Sequence, residues 1–116
     1  MGECIFCKII NKEIPAKIVF EDDDVLALHD IHPLAPVHVL IIPKKHIPTI
    51  DDLTEEDKDL MGKMILIAQK IARDLRTAEN GYKLLFRVKG WGEQEVDHIH
   101  LHLIGGAKLK EGIGPA

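Results

Sequence analysis

The stretch His98-Ile99-His100-Leu101-His102-Leu103-Ile104 alternates imidazole and apolar side chains, and no other segment limits the local fold so tightly. A strand has a side-chain period of two, so the three imidazoles share one face while Ile99, Leu101 and Leu103 point into the core. At a rise of ~3.3 Å per residue, His98 and His102 stand on the order of 13 Å apart. That is too far for both to ligate one ion through Zn–N bonds of ~2 Å. At least one ring is therefore free for chemistry other than ligation.

The chain has 116 residues, 46% of them hydrophobic, which predicts one domain spanning residues 1–116 with one core. Its formal charge of −4 argues against duplex nucleic-acid binding, which needs a basic stripe to replace counterions. No apolar run approaches the ~20 residues of a membrane span. Met1-Gly2-Glu3-Cys4 lacks the basic and apolar regions of a signal peptide, and Phe6 and Cys7 stand where a lipidation signal needs Ser or Thr. The expected compartment is the cytoplasm.

Cys4 to Ile10 carries apolar residues at helical spacing and stops by Asn11, ahead of Ile14-Pro15, which predicts a short helix. Lys17–Phe20 and Val25–His29 flank Glu21-Asp22-Asp23-Asp24, a hairpin in which the acids serve the turn. Val37–Ile42 is apolar on both faces except at His38 and ends at Pro43, as a covered central strand does; His38 then needs a buried partner. Thr54, followed by Glu55-Glu56-Asp57, is an N-cap with an approximate capping box. The helix beyond it carries an apolar stripe of Leu60, Met61, Met64, Ile65, Ala68, Ile71, Ala72 and Leu75. Strands are expected at Tyr82–Val88 and Asp97–Ile104, with Gly90-Trp91-Gly92 between them. This order predicts an α+β fold with a mostly antiparallel five-stranded sheet, one long helix and one short N-terminal helix.

Cys4 and Cys7, spaced Cys-x-x-Cys, fit a redox pair, a metal knuckle or two buried thiols. A thioredoxin-like pair would follow a strand in a βαβ unit, and no strand is expected before it. As a metal knuckle it would need two further ligands.

The triad stretch, together with Cys4–Ile10, Phe20-Glu21-Asp22, His29-Asp30-Ile31, His38–Ile42, Pro43-Lys44-Lys45-His46-Ile47, Asn80-Gly81-Tyr82 and Gln94–Gly106, resembles the histidine triad (HIT) superfamily over almost the whole chain. It is most similar to the Hint branch, the purine nucleoside phosphoramidases. The resemblance implies that His100, the middle triad residue, is the nucleophile. It would attack the α-phosphorus of an AMP conjugate and leave an adenylyl-histidine that water hydrolyses. It further implies that the His98 carbonyl fixes the His100 tautomer, that His102 stabilises phosphate charge or moves protons, and that Gln94 donates to the phosphate or leaving group.

For the nucleoside, the resemblance implies that Asp30 accepts the ribose hydroxyls and that Ile5, Phe6, Ile31 and Leu40 wall a purine slot. His29 would flank the ribose and His38 would stand behind the triad. It also implies a structural Cys₂His₂ zinc site of Cys4, Cys7, His46 and His98, and a homodimer joined edge to edge through the Tyr82–Phe86 strand. The chain departs from the Hint pattern with Arg87 where Asn is usual, Glu93 where glycine is usual, and Glu95 where eukaryotic members carry Ser. As a permanent cation near the phosphate, Arg87 is expected to favour an anionic leaving group such as a phosphate chain. A dinucleoside polyphosphate hydrolase and a zinc-stabilised nucleotide-binding scaffold are the competing expectations.

Overall fold

Val37–Pro43 is buried at nearly every position because the sheet is covered on both sides here, and it forms the central strand. The computed structural model describes residues 4–115, so the leader expectation at Met1-Gly2-Glu3 falls outside the described residues. In chain order the elements are α1 (Ile5–Ile10), β1 (Ile18–Glu21), β2 (Val25–His29), β3 (Val37–Pro43), α2 (Lys58–Asp74), β4 (Lys83–Phe86) and β5 (Leu101–Gly105). The five strands form one antiparallel sheet in the order β1-β2-β3-β5-β4. The fold class, the short and long helices and the order of elements are as the sequence predicts.

Strand alternation separates two apolar layers. On one face Met64, Ile67, Ala68, Ile71 and Ala72 of α2 pack on Val25, Ala27, Val39, Ile41, Leu101 and Leu103. On the other, Phe6 and Ile9 of α1 pack on Leu26, Leu28, Leu40 and Ile42. His102 stands opposite Leu40 in the β3–β5 register and so shares the α1 face, while its neighbours Leu101 and Leu103 serve the α2 core.

The capping box at Thr54 and Asp57 forms, although the first turn, Glu55–Asp57, is a 3₁₀ turn leading into α2. Within the expected stripe Ile65 is 49% exposed and Ile67 takes its place in the core. The spacing 64, 67, 68, 71 follows the buried face, and Ile65 falls on its flank. The acidic hairpin is turn chemistry: Asp22 Oδ1 accepts from the backbone N–H of Asp24 (2.8 Å) and Val25 (2.9 Å), and Lys63 bridges Asp22 and Asp24.

Two expected strands are shorter than their sequence pattern. Residues 97–100 leave the sheet, and the Ile99 N–H donates to Ile47 O at 2.8 Å instead. Because β5 begins only at Leu101, the edge strand β4 has no partner beyond Phe86, and Arg87 and Val88 fall outside it. This departure carries His98 towards the His46 loop.

Met64→Ala, which empties a fully buried site between α2 and the sheet, is expected to cost about 2–5 kcal/mol in urea unfolding. Lys70→Ala, on the solvent face of the same helix, is expected to change stability by no more than about 0.5 kcal/mol.

Candidate active site and metal cluster

The N-terminus of α1 brings the two cysteines together. Cys4 is the N-cap residue and its Sγ accepts from the Cys7 N–H at 3.3 Å, so one helical turn aims both sulfurs at the same point. His46, beyond the end of β3, and His98, on the segment that leaves β5, supply two imidazoles. Cys4 Sγ lies 3.4 Å from His98 Nδ1, Cys7 Sγ lies 3.2 Å from His46 Nδ1 and 3.6 Å from His98 Nδ1, and the two Nδ1 atoms are 3.1 Å apart. All four potential ligand atoms fall within 4.8 Å of one another, close enough to hold a metal ion.

The protonation pattern also fits a cation. His98 Nε2 is 2.8 Å from Pro43 O, which only accepts, so Nε2 carries the proton and Nδ1 directs its lone pair at the cluster. Burial holds this ring neutral, its pKa lowered to about 4. Burial and the neighbouring Cys4 push the Cys7 thiol up to about 11, a cost that a bound cation would relieve by stabilising the thiolate.

The same logic orients the nucleophile expected from the sequence. His100 Nδ1 donates to the His98 carbonyl at 2.8 Å, which leaves the lone pair on Nε2. The ring is buried, and burial lowers its pKa, with the His98 carbonyl and the charges of Asp30 and Glu95 opposing part of that effect. Phe6 braces it edge-on at a centroid distance of 5.0 Å and also meets His98 at 5.9 Å.

His102 is set by a longer chain of reasoning. The Leu34 N–H donates to His38 Nδ1 at 3.1 Å, so in the neutral ring the proton sits on His38 Nε2. That Nε2–H points at His102 Nδ1, 3.0 Å away, with Asp30 Oδ2 farther off at 3.5 Å. His102 Nδ1 therefore accepts, and its proton sits on Nε2. Burial lowers the pKa of both rings, that of His102 to about 3, and keeps them neutral. His102 Nε2 is buried and has no hydrogen-bond partner among the described residues, so its N–H is a donor without an acceptor. Asp30, His38 and His102 also group within 4.8 Å, but His38 Nε2 and His102 Nδ1 are engaged with each other, which makes the group a hydrogen-bonded relay.

Two clefts meet at Asp30 and His38. The larger, about 870 Å³ and mostly apolar, is lined by Ile5, His29, Asp30, Ile31 and His38 among others. Phe6 and Leu40 do not line it. They are buried in the layer beneath, where Phe6 reaches the triad rings and Leu40 lies opposite His102. The smaller cleft, about 560 Å³, is lined by Asp30, His38, His102, Arg87, Gln94 and Glu95, together with His32, Leu34 and Glu93.

Gln94 reaches this cleft with its carboxamide fully engaged. Nε2 donates to Pro48 O (2.7 Å) and Val96 O (2.9 Å), and Oε1 accepts from Thr49 Oγ1 (2.7 Å) and the Lys89 N–H (2.9 Å). In this geometry it pins the 89–94 loop. Arg87 is not a free cation, since Nη1 lies 3.4 Å from Glu93 Oε1. Sequence reasoning missed Leu34, whose contribution is a backbone N–H and so leaves no mark in residue type. It also missed His32 and Thr49; the one available signal for His32 was its place two residues after Asp30, whose Oδ1 accepts its N–H at 2.8 Å.

Comparison with known proteins agrees with this geometry. Residues 11–109 match the HIT domain family. A purine nucleoside phosphoramidase of Escherichia coli (strain K12) is 50% identical over 107 residues, covering 92% of this chain and 90% of that protein. Among solved structures, a HIT family hydrolase from Legionella pneumophila Philadelphia 1 superposes with a TM-score of 0.94 at 50% identity, covering 97% of this chain and all of that one. A histidine triad protein from Clostridium difficile gives 0.93 at 38% identity, covering 97% of each. With its three histidines alternating along one segment and this likeness along nearly its full length, the chain belongs to the HIT family.

Proposed function

We propose that this chain, working as a single domain, hydrolyses adenosine 5′-phosphoramidates or related AMP conjugates through an adenylyl intermediate on His100. The observation that carries this reading is the pairing of a buried lone pair with a buried donor. His100 Nε2 is the nucleophile, and the unpartnered His102 Nε2–H beside it donates a hydrogen bond to a phosphoryl oxygen and stabilises the charge that builds there, their ring centroids 4.9 Å apart. In the first step the His100 lone pair forms a bond to phosphorus. The bond to the leaving atom breaks, and that atom departs with the electron pair and with a proton that the basic P–N nitrogen takes up from solvent. In the second step water attacks phosphorus, His100 leaves with its electron pair, and the water proton passes to solvent. AMP is released and both rings are in their starting tautomers.

The larger cleft suits the nucleoside. Ile5 and Ile31 provide flat apolar walls, and Asp30, with His29 beside it, offers carboxylate oxygens for the ribose hydroxyls. The name of the Escherichia coli relative supports a purine nucleoside phosphoramidate as the substrate class. A dinucleoside polyphosphate substrate is less well supported, because the Arg87 charge that would attract its second phosphate is already shared with Glu93.

Cys4, Cys7, His46 and His98 would hold zinc. For tetrahedral bonds of ~2.3 Å to sulfur and ~2.0–2.1 Å to nitrogen, ligand atoms stand roughly 3.3–3.8 Å apart, close to the 3.1–3.6 Å of the sulfur–nitrogen and nitrogen–nitrogen contacts here. Four protein ligands leave no open position, so the ion would staple α1 to the segment carrying the nucleophile. Two free thiols suit a reducing compartment, in keeping with a cytoplasmic location, and no helix among the described residues is long and apolar enough to cross a membrane. We further propose a homodimer joined along the open edge of β4, where Leu84 is partly exposed.

Mixing the protein briefly with an adenosine phosphoramidate, followed by acid quench and intact-mass spectrometry, is expected to show an AMP-sized adduct that rises and decays, and none with His100→Ala. Turnover by the variant at the wild-type rate would refute the mechanism. Metal analysis of protein prepared with zinc is expected to find one ion per chain, and Cys7→Ser is expected to lower the melting temperature by at least about 5 °C. A variant that melts with the parent would remove the staple from the account.

A further inference from the structure

The smaller cleft beside His102 carries three carboxylates, Asp30, Glu93 and Glu95, against one guanidinium, Arg87. Burial keeps two of its three histidines, His38 and His102, neutral, so they do not redress that balance, and the third, His32, is exposed. The Arg87 guanidinium is engaged with Glu93 at 3.4 Å and lies near enough to His38, His100 and His102 for its charge to act on all of them. Glu93, with a side chain 82% exposed, and the exposed Glu95 form the outer lip.

The lip is held in place. Lys89 and Glu93 both take left-handed backbone (φ 57° and 62°), and the loop between them is fixed by the Gln94 carboxamide and by a Lys89–Asp51 ion pair. The cleft has a second and independent mark of a ligand site. His102 is nine-tenths buried, lines the cleft, and its Nε2–H lacks any acceptor. An acceptor atom on a bound molecule would complete it.

We propose that this cleft is the leaving-group site and that Glu93 and Glu95 select amines carrying a further positive charge, such as diamines or basic side chains. This deepens the hydrolase reading above and rests on it. A cationic tail on the departing amine reaches the acidic lip, whereas a phosphate chain or carboxylate tail would face Glu93 and Glu95 with no free cation to receive it. The bond broken is P–N. Nitrogen leaves with the electron pair and a proton taken up from solvent, and the tail keeps its charge throughout.

The test uses three AMP phosphoramidates made from 1,4-diaminobutane, butylamine and 4-aminobutanoate, which differ chiefly at the tail. For the parent protein, kcat/KM is expected to fall in that order, with about a tenfold or greater spread at low ionic strength that shrinks in 0.5 M salt. Glu93→Gly, which suits the left-handed backbone, and Glu95→Gln are each expected to narrow the spread, and together to bring it within about twofold. Turnover of all three conjugates at similar rates, or a spread the two substitutions leave unchanged, overturns the lip proposal while leaving the hydrolase reading intact. Turnover of none, with AMP still bound, overturns the hydrolase reading and the lip proposal with it.

Discussion

Everything in the site depends on backbone groups that dictate which nitrogen of each imidazole holds its proton. Two carbonyls, of Pro43 and His98, can only accept, and one amide, of Leu34, can only donate. The Pro43 carbonyl leaves His98 Nδ1 with a lone pair facing the cysteines, the His98 carbonyl leaves His100 Nε2 with its lone pair, and the Leu34 amide, acting through His38, leaves His102 Nε2 with its proton. Burial keeps all four rings neutral, so each assignment holds without competition from an imidazolium. The lone pairs and the donor on which the proposed function rests are thus consequences of main-chain geometry, which side-chain motion does not scramble.

That geometry exists because the triad segment is only partly a strand. Leu101–Gly105 pairs with β3 and β4, which puts His102 on the α1 face opposite Leu40. Upstream, the backbone turns to Ile47, so His98 meets His46 while its carbonyl still reaches the His100 ring. Had the ladder continued through His98, that ring would lie over the sheet rather than beside α1 and its cysteines. α1, only six residues long, is held between apolar contacts of Phe6 and Ile9 and the sulfur–imidazole cluster at its start.

Much of this was legible in the sequence. Period-two alternation gave the faces of β5, an all-apolar run gave the central β3, and Thr54 with Asp57 marked the start of α2. The ligand set Cys4, Cys7, His46 and His98 also converges as the family resemblance implies. Patterns failed where a backbone partner decided the outcome. Alternation at 97–100 is as regular as in the strand, yet a hydrogen bond to Ile47 ends the ladder. Side-chain type likewise said nothing of Leu34, whose role lies in its amide, or of Gln94, whose carboxamide turned inward to the loop. Arg87 read as an isolated cation because its neighbour Glu93 is six residues away in sequence and close only in the folded loop.

The most direct test of the backbone-set tautomers is the long-range proton–nitrogen spectrum of the imidazole side chains in nitrogen-15-histidine-labelled protein near neutral pH. The account predicts His102 with its proton on Nε2 and a bare Nδ1, and His100 with its proton on Nδ1 and a bare Nε2. A His102 protonated on Nδ1, or doubly protonated, would contradict it, since Nδ1 could then no longer accept from His38 and the backbone-set tautomer would be lost.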